Sequence, residues 1–244
     1  MTPILSVENL SVSFDGFLAV DALNFSVDRD ELRAVIGPNG AGKTTLLDMI
    51  CGKTRPTHGR IQFNDIDITR LGEHEIVRSG VGRKFQTPST YEDLTVLENL
   101  EISYPKGRGV FGSLFFRRSK LVTDRIGEVA DEVYLSEHLD IKAGALSHGQ
   151  KQWLEIGMLL MQEPTLLLLD EPVAGMCFSE REQTADLLKK IAKGRSLVVI
   201  EHDMDFVKAI ARKVTVLHQG KLLSEGPMEQ VQADERVIEV YLGR

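Results

Sequence analysis

The stretch A-V-I-G-P-N-G-A-G-K-T-T, Ala34 to Thr45, decides the fold. Ala34 to Ile36 is a short apolar run that stops at a glycine, the mark of a buried strand feeding a loop. Behind the loop, Leu46, Leu47 and Ile50 fall on one helical face between Lys43 and Cys51, and Gly52 stands where a helix is closed. Between strand and helix, Gly37, Gly42, Lys43 and Thr44 satisfy G-x-x-x-x-G-K-[ST]. Such a loop wraps a phosphate chain with backbone N–H groups, and Gly37, Gly40 and Gly42 remove the side chains that would obstruct the approach. The helix that follows turns its positive end toward the phosphates. Lys43 reaches the β- and γ-phosphates as a point charge, and the Thr44 hydroxyl is placed to ligate Mg²⁺.

Three further stretches carry chemistry. Thr165 to Leu169 is apolar, and Asp170 and Glu171 follow at once. A buried strand ending in two carboxylates sets the first beside a metal ion and the second toward an attacking water, so Asp170 would be the metal-side acid and Glu171 the general base or water-polarising group, although taken alone such a pair reads as readily as a solvated strand end. Leu146 to Gln150, L-S-H-G-Q, opens a helix. Ser147 and Gly149 there suit an anion, although taken alone they read as an ordinary N-cap. Ile200 to Asp203, I-E-H-D, puts His202 after a strand, where it bonds a γ-phosphate, caps a helix or sits in a packed corner.

The first thirty residues read as β structure, with strands over Ile4–Phe14 and Ala22–Val27 around a D-G turn at 15–16. Gly59–Phe63 and Val81–Phe85 are short strands. From Thr87 to Leu146 the pattern is mostly helical, over Thr95–Ile102 and Asp124–Leu135. Strand–helix alternation then returns: helices over Gln150–Gln162, Ser179–Ala192 and Asp203–Ala211, strands over Leu166–Leu169 and Leu197–Ile200. A hairpin around Q-G joins Val214–Leu217 to Lys221–Ser224, and two short helices end the chain. This is an α/β fold with a largely parallel sheet covered on both faces and interrupted by a helical insert.

Bulk properties narrow the function. The net charge of -7 argues against broad nucleic-acid binding, which needs a cationic footprint. Cys51 and Cys177 show no metal-ligand spacing and fit a reducing cytoplasm. No run is long enough to span a bilayer, and the N-terminus does not read as a signal peptide, so work at a membrane would go through partners.

Taken in order, the glycine loop, K-F-Q at 84–86, L-S-H-G-Q, L-L-L-L-D-E and E-H-D resemble the nucleotide-binding subunit of ATP-binding cassette transporters over essentially the whole chain. The resemblance implies a P-loop NTPase core with a mixed, mainly parallel sheet, an N-terminal antiparallel β subdomain and an inserted α-helical subdomain over 87–163, all within one cassette spanning 1–244. It implies that Gly37, Pro38, Asn39, Gly40, Ala41, Gly42, Lys43, Thr44 and Thr45 hold ATP and that Phe14 stacks on adenine, although Phe14 also reads as a core residue. Thr44, Gln86 and Asp170 would serve Mg²⁺; Glu171, Gln86 and His202 would serve hydrolysis. Leu146, Ser147, His148, Gly149 and Gln150 would complete the ATP site of another subunit. His148 stands where the family usually has glycine, and Cys177 where many members carry Asp.

Within the family, the ending V-I-E-V-Y-L-G-R is similar to the branched-chain amino-acid and amide importers, with 220–244 as their C-terminal extension. I-C-G-K-T-R-P, G-R-K-F-Q-T-P and L-S-H-G-Q-K-Q-W-L-E-I-G-M-L-L resemble the urea-importing branch. That resemblance implies a urea or short-amide importer, with branched-chain amino-acid import as the alternative and, after it, a non-transport cassette ATPase. Implied partners are a second related ATPase subunit or a second copy of the chain, two permeases, and indirectly a periplasmic binding protein. The location implied is peripheral, at the cytoplasmic face of the inner membrane. Lys106 to Lys120, basic and aromatic, reads as a solvated loop more readily than as a lipid contact.

Overall fold

The computed structural model describes residues 3–85, 89–105 and 119–242. They divide into two compact units. One contains the chain up to Arg83, Thr165–Pro172, and everything from Leu188 onward; the other contains Lys84–Pro164 and Val173–Leu187.

The first unit holds two sheets. Strands β1 (Leu5–Phe14), β2 (Phe17–Val27), β4 (His58–Phe63) and β5 (Ile66–Asp67) form an antiparallel sheet in the order β2-β1-β4-β5. The second sheet runs β10-β9-β3-β8-β7-β6, from strands β3 (Leu32–Ile36), β6 (Val81–Lys84), β7 (Leu166–Asp170), β8 (Ser196–Ile200), β9 (Lys213–His218) and β10 (Lys221–Gly226). Strands β9, β3, β8 and β7 are mutually parallel. The antiparallel hairpin β9–β10 turns on Gln219 and Gly220, both at positive φ, which matches the twist of the flanking strands.

Strands β3, β7 and β8 are buried along their whole length, so apart from the buried Arg33, Asp170 and Ser196 they read as apolar runs rather than as alternation. On one face Val35, Leu168 and Val198 share a core with helix α1 (Lys43–Ile50) and the antiparallel sheet. On the other, Ala34, Ile36, Val214 and Val216 pack with Val207, Met228, Val231 and Val237. These last come from helices α7 (Met204–Ile210), α8 (Met228–Ala233) and α9 (Glu235–Leu242).

Register carries this packing to function. Asp170 lies opposite Ile200, Ile200 opposite Val35, and Ile36 opposite Val216. The carboxyl ends of neighbouring strands are therefore level, and the loops after β3, β7 and β8 leave the sheet side by side. Ligands of parallel α/β sheets bind at such an edge.

The second unit is helical: α3 (Val96–Ser103), α4 (Lys120–Glu132), α5 (His148–Leu160) and the start of α6 (Phe178–Ile191). Helix α4 begins at Lys120 rather than Asp124, and α5 at His148 rather than Gln150, because Ser119 and Ser147 cap them. Helix α2 (Glu73–Ser79) and β5 are additions to the sequence reading. Helix α2 buries only Ile76 and is held by a glutamate at its start and Gly80 at its end, so it leaves no apolar periodicity to read.

Candidate active site

The loop Gly37–Gly42 needs glycine for two different reasons. Gly37 and Gly42 lie at positive φ, and a Cβ there would sit 2.2 Å from the Leu217 carbonyl oxygen and 2.6 Å from that of Ala19. Gly40 also has positive φ but faces open space, so its requirement is conformational alone. Pro38, Asn39 and Gly40 are at least partly exposed, as are Thr44 and Thr45 in the first turn of α1, while Ala41 is buried. Gly42 at the N-cap offers no side chain to the first amides of α1, which leaves them for an anion. The Lys43 ammonium donates to the Gly37 and Pro38 carbonyls at 2.8 and 3.0 Å. Burial lowers the Lys43 pKa, against the opposing pull of Glu171 and Asp170. A half-buried cation, bare amides and two carboxylates thus share one edge, and a phosphate chain with its cation fits that chemistry.

Asp170 ends β7 and is almost fully buried, its Oδ2 4.0 Å from Arg83 Nη2. Arg83 also reaches Asp48 Oδ1 at 2.6 Å and the Cys51 sulfur at 3.0 Å. Arg83 and Asp48 escaped the sequence reading because their partners come from separate segments. Glu171 has φ 48, a left-handed conformation unusual for this residue type, while its N–H still donates to Ile200 O at 3.0 Å. The turn brings its Oε1 to 3.7 Å from Nδ1 of His202. His202 is 70 % exposed, so it is not a packed core histidine, and Asp203 rather than His202 caps α7. Among the described residues no group of three or more His, Cys, Asp or Glu could hold a metal. Thr44 and Asp170 suit instead an ion that takes its remaining oxygens from phosphates.

Phe14 is 48 % exposed opposite Phe17, so it is not a core residue, and its ring is open to stacking. Gln86 lies outside the described residues, as does all of the basic loop at 106–120 except Ser119 and Lys120. A buried pair flanks the Gln86 segment: Lys84 Nζ lies 3.3 Å from Glu155 Oε2 and donates to Phe85 O, and Glu155 Oε1 accepts from Ser89 N–H. Burial raises the Glu155 pKa, with Lys84 opposing.

In the second unit, Leu146 is buried and Ser147 caps α5 through a reciprocal pair of bonds with Gln150. The Ser147 hydroxyl also donates to Glu180 Oε1 at 3.3 Å, and Glu180 accepts from Cys177 N–H at 3.0 Å. A Cβ on Gly149 would lie 2.4 Å from that same carboxylate. His148 Nε2 lies 2.9 Å from Ala174 O, so the tautomer with hydrogen on Nε2 ties the start of α5 to the loop after β7. Gln150 Nε2 bonds His138 Nε2 at 3.0 Å. Glu180 is a third residue beyond the sequence reading; its only local signal is its place three residues after Cys177, where a capping carboxylate belongs.

Comparison with known proteins places the chain in a family. A model of the ABC transporter family matches residues 20–174, and one described as branched-chain amino acid ATP-binding cassette transporter matches 221–244. The chain is 38% identical over 253 residues to the high-affinity branched-chain amino acid transport ATP-binding protein BraF of Pseudomonas aeruginosa, covering 99% of this chain and 98% of that protein. It is 35% identical over 250 residues to the corresponding LivG protein of Escherichia coli, covering 99% and 98%. The crystal structure of the ADP conformation of an ATP-binding cassette of an ABC transporter superposes with TM-score 0.88 at 33% identity, covering 100% of both chains. The fold and these relatives agree that the chain belongs to the ABC transporter family, as an ATP-binding subunit similar to branched-chain amino acid transport ATP-binding proteins.

Proposed function

We propose that this ATPase hydrolyses ATP at the edge formed by Gly37–Thr45, Asp170, Glu171 and His202, and that the energy drives an importer. The observation that carries the reading is the level register of β3, β8 and β7, which brings Lys43 within electrostatic reach of Asp170 and Glu171. Mg²⁺, when bound, neutralises phosphate charge. Thr44, Asp170 and Gln86 are the residues that would serve it. Amides of the loop and of the α1 N-terminus hold the phosphates, and Lys43 exchanges its two carbonyl partners for phosphate oxygens. Glu171 accepts the proton of the attacking water. His202, within reach of Glu171, bonds the γ-phosphate and holds that water on line.

The L-S-H-G-Q segment is proposed to act on ATP held by another subunit. Its hydroxyl and first amides lie beneath Glu180, and the carboxylate must yield to a phosphate for that contact to form. The partner is a related ATPase chain or a second copy, docked beneath two permeases at the cytoplasmic membrane face. No helix among the described residues is long and apolar enough to cross a membrane itself.

For the substrate, the relatives support branched-chain amino-acid import ahead of urea import. Urea remains the second reading, carried by His148 and the long stretches around it. Reconstitution with the permeases and binding protein tests the choice. ATP hydrolysis stimulated by leucine and indifferent to urea supports the first reading, and the opposite response replaces it with the second.

A further inference from the structure

The segment that leaves α1 and the turn that follows β5 close on a pocket of about 280 Å³. Arg55, Thr57, His58, Thr69 and Arg70 line it, all within the first unit. No carboxylate among the described residues lines it, and neither does any residue of Gly37–Thr45. Both arginines are exposed, and among the described residues neither guanidinium meets a carboxylate or another hydrogen-bond partner.

An acid does stand close by in sequence, but it is spent elsewhere. Asp67 Oδ2 accepts from Arg60 Nε at 2.9 Å, and Asp67 Oδ1 accepts from the Thr69 N–H at 3.0 Å and from the Thr69 hydroxyl. Arg60 is thereby paired while Arg55 and Arg70 are left to the pocket. Thr57 Oγ1 accepts from Ser13 N–H at 3.4 Å, so its own hydrogen is left to donate. Two guanidinium forks, a hydroxyl and the His58 imidazole thus line one concavity, in a chain whose net charge is -7.

A concavity lined by one sign of charge gathers counter-ions of the other. Guanidinium forks take carboxylate or phosphate oxygens in pairs. A carboxylate holds its two oxygens in one plane and suits a single fork. A tetrahedral phosphate presents oxygens in several directions, which suits donors that come from two separate turns. We infer that this pocket binds inorganic phosphate, the anion that ATP hydrolysis releases, at a place apart from the nucleotide edge. The pocket has this chemistry whether or not Gly37–Thr45 holds nucleotide.

The test is a titration of the full chain with inorganic phosphate, followed by the backbone amide resonances in two-dimensional NMR. Saturating ADP occupies the phosphate loop throughout, and chloride at matched ionic strength is the control. The amides of Arg55, Thr57 and Arg70 are expected to shift saturably, with a Kd on the order of 1 mM, as two charge-assisted contacts would supply. Arg55→Gln combined with Arg70→Gln is expected to raise that Kd at least about tenfold. Both side chains are exposed and unpaired, so the double variant should melt within about 2 °C of the parent. Shifts that rise linearly and match those from chloride would overturn the inference. So would a Kd unchanged in the double variant, or shifts confined to Gly37–Thr45.

Discussion

Single residues at the edge divide into those that do chemistry and those that hold charge in place. Glu171→Gln keeps the shape of the side chain and removes its basicity. Turnover is expected to fall at least about a hundredfold with ATP affinity retained, checked by phosphate release beside equilibrium binding. Unchanged turnover would remove Glu171 as the base. Arg83 is the opposite kind: it lies between Asp48 and the buried Asp170. Arg83→Met leaves both carboxylates without that cation, and urea titration is expected to show a loss of about 3 kcal/mol. Lys43, Asp170 and Glu171 were legible in the sequence because a strand end and a glycine loop define their positions locally. Arg83 was not, since a lone arginine in a short strand reveals nothing of partners 35 and 87 residues away (83 less 48, 170 less 83).

At the scale of elements, start signals mattered more than periodicity. The apolar pattern found α5, but its first turn belongs to Ser147 and its reciprocal bonds with Gln150. Ser147→Ala removes the cap and is expected to cost about 1 kcal/mol by urea titration. Ser147→Asn preserves a capping oxygen and should fold as well as the parent. If the hydroxyl also serves a partner's ATP, hydrolysis by the assembled transporter containing Ser147→Asn falls about tenfold or more. Full activity of that variant would confine Ser147 to its cap. Glycine at 42 is a firmer constraint, because positive φ and the Ala19 carbonyl both exclude a side chain. Gly42→Ala is expected to abolish ATP binding, measured by calorimetry, since the clash is with backbone that has no rotamer to give.

For the whole molecule, the fold was readable because its parallel strands carry short apolar runs, such as Ala34–Ile36 and Leu166–Leu169, and its motifs fall in one order. The substrate was not readable in the same sense. The motifs of the nucleotide edge are chemistry for ATP and carry no signal for a cargo, so resemblance alone pointed to urea, and comparison moved the reading toward branched-chain amino acids. The central claim is that the phosphate loop is half of a site completed by L-S-H-G-Q of another subunit. Sedimentation velocity of the Glu171→Gln protein tests it directly, with and without Mg²⁺ and ATP, alone and mixed with its partner ATPase chain. The account expects monomers without nucleotide and a dimer with it. A monomer in saturating ATP, both alone and with the partner, would contradict the composite site.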